Sequence, residues 1–235
     1  MTTINEEYLR SLADELARTV THPHFLQKVV ELREKESFDD QYAVAKEIDR
    51  EHLAQAGVQM SERFRVTPRT FEDPRFAGAN GVQQPGCEPG SDKGSVDLET
   101  YDRSSWPGAP LEGEPAEMND PEVIAHYLKE GIYQIIDFVV TEPFKELLAE
   151  MAEVPPPDRP KFVLEVVLDD AERAKRGIRV PDHMTIQRST FHDGRPTLFC
   201  VSALTPLTFP WRKVTVTFDN RILESSTENH GAPLG

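Results

Sequence analysis

Long apolar runs are missing from this chain of 235 residues. No stretch of about 18 hydrophobic residues occurs, and Met1 to Arg18 carries Glu6, Glu7 and Asp14 where a secretory signal has a basic start and an apolar middle. Neither a membrane span nor a signal peptide is expected. Cysteine is scarce: only Cys87 and Cys200 are present, and no Asn-x-Ser/Thr sequon accompanies them. A disulfide framework is thereby excluded, and a reducing, cytoplasmic setting is expected. Positive charge is in deficit, with 26 Lys+Arg against 41 Asp+Glu and a formal net charge of −15. Such a field opposes a nonspecific hold on nucleic-acid phosphates or anionic lipid, so neither nucleic acid nor membrane is the expected partner. The glycine-rich fingerprints of P-loops and dinucleotide sites, the H-E-x-x-H zinc motif and C-x-x-C pairs are also missing. No catalytic residue, cofactor or metal is expected from motifs.

What is present divides unevenly along the chain. Residues 67–120 hold 4 basic and 11 acidic side chains, a net of −7, whereas residues 161–235 hold 10 and 9, a net of +1. A near-neutral C-terminal piece on an acidic protein is a polarity that can orient a binding face.

Periodicity in residues 1–66 predicts a helical unit. Its first helix starts at a Thr3-x-x-Glu6 capping pattern, carries Tyr8, Leu9, Leu12, Ala13, Leu16 and Val20 on one stripe, and stops near Thr21-His22-Pro23. A short second helix buries Phe25, Leu26, Val29 and Val30. A third runs from Ser37 to Ala56 and meets Gly57, where a C-terminal cap is wanted. Between 67 and 120 the period vanishes among seven glycines and seven prolines, which argues against helix and sheet alike. This acidic segment is either a linker or an arm lying over a surface, and Phe71, Phe76, Tyr101 and Trp106 favour the arm.

From 121 to 224 an α+β unit is expected. Asp120 caps and Pro121 opens a helix whose apolar face is Val123, Ile124, Tyr127, Leu128, Ile132, Ile135, Ile136 and Val139. Thr141-Glu142-Pro143 breaks it, and a second helix with Phe144, Leu147, Leu148 and Met151 runs to the prolines at 155–157. The period then falls to two. Phe162–Leu168 reads as a central strand, Met184–His192 and Arg195–Ala203 as a hairpin about Asp193-Gly194, Val214–Phe218 as a further strand, and Arg221–Glu224 as a last one. The expected fold is thus an N-terminal helical unit, a long Gly/Pro-rich irregular segment, then two helices packed on a small antiparallel sheet of four or five strands. Residues 225–235 form a flexible tail.

Chemistry-bearing residues are few. Cys200, inside the apolar Leu198–Val201 run, reads as a buried core thiol, and Cys87 stands alone in the Gly/Pro stretch. His22-Pro23-His24 reads as a helix start. Asp182, His183, His192 and Asp193 lie at opposite ends of one strand, and nine strand residues span about 30 Å, too far for the two histidines to share an ion. The best binding set is Arg188, His192 and Arg195. A two-residue hairpin sets 188 opposite 199 and 192 opposite 195, which brings these three onto one sheet face able to hold a carboxylate or an acidic segment. Pairing with the protein's own surplus carboxylates is the competing account of these and of Arg173, Lys175, Arg176, Arg179, Arg212 and Lys213.

Residues 14–74 carry His24-Phe25-Leu26, Leu53-x-x-x-Gly57-Val58 and Phe71-Glu72-Asp73-Pro74. With an insertion, this stretch faintly resembles the helical leader shared by nitrile hydratase α subunits and the peptide precursors named after them. The chain lacks the cysteine cluster that binds metal in that enzyme, and the resemblance transfers no site. The expected function is a non-catalytic intracellular binding or assembly protein that docks a protein or peptide partner. The alternatives are a small enzyme acting on an acidic small molecule in a helix–sheet pocket near His192 and Arg195, and a leader-like carrier or precursor of a ribosomally made peptide.

Overall fold

The computed structural model describes residues 2–35, 40, 43, 44, 47, 50–59, 106–109, 111, 120–188, 197–207 and 213–228. It is a mixed α+β fold organised about one helix. That helix is α4 (Pro121–Val139), which follows β1 (Thr3–Ile4), α1 (Glu6–Val20), α2 (Pro23–Glu34) and α3 (Arg50–Gln55). After it come α5 (Glu142–Glu153), α6 (Arg159–Phe162), a π-helical turn (Val163–Val167) and α7 (Asp170–Lys175). The sheet strands β2 (Met184–Gln187), β3 (Thr197–Leu204) and β4 (Lys213–Asp219) follow, then α8 (Asn220–Ser225) and β5 (Thr227–Glu228).

The start of α4 is set locally: Asp120 accepts a hydrogen bond from the Glu122 backbone N–H at 2.8 Å, and Pro121 occupies the first turn, where its missing N–H costs nothing. Every position of the expected apolar face is buried, and Gly131 and Phe138 join them. The reason is that α4 is covered on two sides, by α1 and α2 on one and by β3 and β4 on the other. Leu9, Leu12 and Ala13 of α1 accordingly share one hydrophobic cluster with Ile132, Ile135, Phe144, Leu148, Phe199, Val201 and Phe218. Polar contacts fasten the same pair of helices: Arg10 to Asp137 at 2.8 Å, and the Tyr133 hydroxyl to Asp14 at 2.8 Å. A second cluster, Phe25, Leu26, Leu53, Val58, Ile124, Tyr127 and Leu207, lies at the N-terminal half of α4, with Trp106 and Leu111 packed against it.

Helix ends follow the sequence in part. His22 caps α2, its Nδ1 accepting from His24 N at 3.2 Å, as a helix-start reading of His22-Pro23-His24 requires. Gly57 has φ +86° and closes a Schellman motif, with Val58 N donating to Leu53 O and Gly57 N to Ala54 O. The first cap is different from the expected one. Thr3 lies in β1, and Asn5 caps α1 by accepting from Tyr8 N at 3.0 Å, because Thr3 and Ile4 pair with Glu228 and Thr227 of β5.

Two expected strands are helices. Phe162–Leu168 forms the end of α6 and the π turn, closed by Leu168 N donating to Val163 O at 2.9 Å. Val163 and Val167, four residues apart, are buried, while Leu164 is exposed, which is helical patterning; a short apolar run does not by itself separate the two periods. Arg221–Glu224 belongs to α8, because Asp219 accepts from Ile222 N at 2.8 Å and starts a helix where a turn was expected. The sheet therefore has the order β2-β3-β4, antiparallel throughout, and the β1–β5 pair stands apart from it. The pairs Met184↔Ala203 and Gln187↔Cys200 have the offset expected of a two-residue turn at Asp193-Gly194, which itself lies outside the described residues. So do Cys87 and most of the segment 67–120; its described residues 106–109 form no helix or strand.

Candidate functional site

Of the three expected binding residues, Arg188 is described and half-buried, whereas His192 and Arg195 lie outside the described residues. Arg188 directly follows β2, whose Met184 and Ile186 pair with Ala203 and Val201 of β3. Of the other expected cations, Arg173, Lys175 and Arg176 are engaged, and Arg212 lies outside the described residues. Arg173 bonds Val167 O at 2.6 Å and pairs with Asp170; Arg176 pairs with Glu172 at 2.9 Å and Glu150 at 3.4 Å. Cys200 is buried inside β3. Among the described residues no group of three or more His, Cys, Asp or Glu side chains is placed to hold a metal ion, and no helix is long and apolar enough to cross a membrane.

Two features stand out instead, both on α4. The first is a polar cluster in an apolar setting. Trp106 lies with its ring centroid 6.1 Å from Tyr127 and 5.8 Å from His183, edge-on to both at 80° and 76°. The short segment holding it is tied to α4 by a 2.7 Å hydrogen bond between His126 Nε2 and Ala109 O. Gly108 allows the close approach: a Cβ there would lie 2.4 Å from Trp106 Nε1 and 3.1 Å from Gln134 Nε2. Trp106 Nε1, both amide atoms of Gln134 and His183 Nε2 are sealed from solvent without a hydrogen-bond partner. Each buried polar group left in that condition costs about 1–3 kcal/mol, and native interiors contain few of them. Burial pushes the His183 imidazole below its ordinary pKa, an effect that the neighbouring Asp182 carboxylate opposes.

Sequence reasoning singles out Trp106 as a packed ring and weighs His183 only as a metal ligand; it passes over Gln134. The available signal is that Gln134 lies one and two helical turns beyond Gly131 and Tyr127, on a stripe that is otherwise buried.

The second feature is a groove of about 640 Å³ between α2 and the first turns of α4. Pro23, Leu26, Val30, Pro121 and Ala125 supply its apolar lining, and Glu31, Glu34 and Glu122 also line it. Glu31 is paired with Lys28 at 3.1 Å and Lys35 at 3.7 Å, whereas the carboxylates of Glu34 and Glu122 form no ion pair among the described residues. Comparison with protein-family models, curated proteins and solved structures gives no match for this chain.

Proposed function

We propose that this chain is a non-catalytic binding protein that docks a protein or peptide partner, and that the partner seats a basic amphipathic segment in the groove between α2 and α4. The observation that carries this reading is the combination of the apolar lining with Glu34 and Glu122, two carboxylates that have no cation of their own among the described residues. An apolar floor beside carboxylates suits a helix or extended segment with aliphatic residues on one side and Lys or Arg on the other. The net charge of −15 favours the encounter with such a segment from a distance.

The test is fluorescence anisotropy with a labelled amphipathic Leu/Lys peptide and its Leu/Glu counterpart. The Leu/Lys peptide binds saturably and with a salt dependence that Glu34→Lys reduces. Val30→Glu distinguishes groove docking from attraction to an acidic surface: the added charge strengthens surface attraction, but a carboxylate in the floor weakens docking by about tenfold or more. Equal binding of both peptides, or tighter Leu/Lys binding by Val30→Glu, overturns the proposal.

A further inference from the structure

The unpartnered polar atoms of the described interior gather in one place. Trp106 Nε1, Gln134 Nε2, Gln134 Oε1 and His183 Nε2 are the buried side-chain nitrogens and oxygens among the described residues that bond nothing. Trp106 Nε1 and Gln134 Nε2 face the same side of Gly108, and the ring of His183 borders the same indole. His183 is 8% exposed. A polar interior that served packing alone would be paired within itself, since folding selects against unsatisfied groups.

The chemistry of these groups defines what would satisfy them. The indole N–H only donates, the carboxamide both donates and accepts, and a neutral imidazole nitrogen does one or the other according to tautomer. Burial disfavours the imidazolium and so favours the neutral ring of His183. None of the four atoms is bonded to an Asp, Glu, Lys or Arg side chain. With the indole displaced, the groups left to satisfy are the Gln134 carboxamide and the His183 imidazole, so a complementary ligand is uncharged and presents a donor and an acceptor. Its shape follows from the rings. Tyr127 and His183 each stand nearly perpendicular to the indole, so their surroundings already accommodate a flat bicycle.

We propose that the slot holding Trp106 is a binding site for a small uncharged planar nitrogen heterocycle, which Gln134 and His183 recognise along one edge, and that Trp106 is its displaceable internal occupant. A side-chain carboxamide reads the donor–acceptor edge of such a ring with two hydrogen bonds, and the indole, with a donor alone, leaves that capacity unused. The indole is held by edge contacts, by the His126–Ala109 bond and by packing against the second hydrophobic cluster, so a competing ring has to replace that apolar packing and gains over the indole only through its hydrogen bonds to Gln134 and His183. This site is separate from the groove between α2 and α4 and does not depend on the partner reading.

Three bicyclic probes of similar size separate recognition from simple burial: benzimidazole (donor and acceptor), indole (donor only) and indene (neither). The chain has two tryptophans, so Trp211→Phe makes Trp106 the sole reporter in the full-length protein. Benzimidazole should shift the Trp106 emission to the red saturably, with an affinity about tenfold or more above that of indene, the value of one to two neutral hydrogen bonds. Gln134→Leu should remove the preference with the far-UV circular dichroism unchanged. As a second arm, Trp106→Gly vacates the slot, and calorimetry should rank benzimidazole above indole and indole above indene. An order that follows hydrophobicity in either arm, a shift that does not saturate, or a benzimidazole preference that survives Gln134→Leu overturns the proposal.

Discussion

Gly131 and Val214 touch with no room for a further carbon between them: a Cβ on residue 131 would stand 2.4 Å from Val214 Cγ1 and 3.8 Å from the Ala203 Cβ. At this point α4 lies directly on β4. Glycine in a helix interior costs about 1 kcal/mol relative to alanine, and the close approach offsets that cost. Gly131→Ala should therefore destabilise the protein by about 1–3 kcal/mol despite its better helix propensity, because helix and strand must separate. Urea unfolding measures this, and a midpoint equal to or above the parent's refutes the contact.

Arg159 is a buried guanidinium that joins three elements. It donates from Nε to Val154 O at 3.0 Å, from Nη2 to Ala152 O at 3.2 Å, and from Nη1 to Asn220 Oδ1 at 2.7 Å and Glu224 Oε1 at 3.0 Å. These bonds satisfy carbonyls at the end of α5 and tie them to α8. Arg159→Met should cost about 2–3 kcal/mol, and Arg159→Lys should recover only part of it, since an ammonium lacks the planar fork. Chemical denaturation of the two variants against the parent tests the order.

His183 gives the stability a defined pH dependence. Its folded-state pKa lies below the ordinary value near 6.5, with burial as the first cause, so in the interval between the two the unfolded chain binds more protons than the folded one. This contribution is complete above the ordinary value and declines as pH falls through the interval toward the folded value. His183→Gln should flatten thermal stability there, measured from about pH 7.5 downward. A parent profile as flat as the variant's rejects the assignment.

The β2–β3 ladder has the offset that a two-residue turn at Asp193-Gly194 imposes. The sequence leads us to expect a type I′ turn at Asp193-Gly194, which lies outside the described residues; such a turn needs positive φ at its second position, so Gly194→Val should lower stability by about 1 kcal/mol or more, and Gly194→Asn by much less. Equal melting temperatures for the two variants would place the turn elsewhere.

Where neighbours in sequence decide the outcome, the chain is legible. Asp120-Pro121 starts α4, Glu142-Pro143 starts α5, Gly57 ends α3, and the buried positions of α4 and α5 are those the helical period marks. Each depends on one turn of backbone: a cap, a fixed φ, or a residue that tolerates positive φ. The misread elements are those in which two local solutions compete. Val163–Val167 is apolar enough for a strand, yet it curls as a π turn because Val163 and Val167 have a core to enter one turn apart. Asp219 is equally suited to a turn or a cap, and burial of Ile222 and Leu223 favours the cap.

The candidate sites belong wholly to the tertiary structure. Trp106, Gln134 and His183 come from an irregular segment, a helix and the approach to a strand, and α2 meets the start of α4 across the intervening chain. Capping and periodicity act over a few residues, so they determine the elements and their buried faces. Which distant polar groups share a slot, and where two apolar faces leave a groove, depends on how α4 is covered from both sides, and that is settled only when the whole core packs.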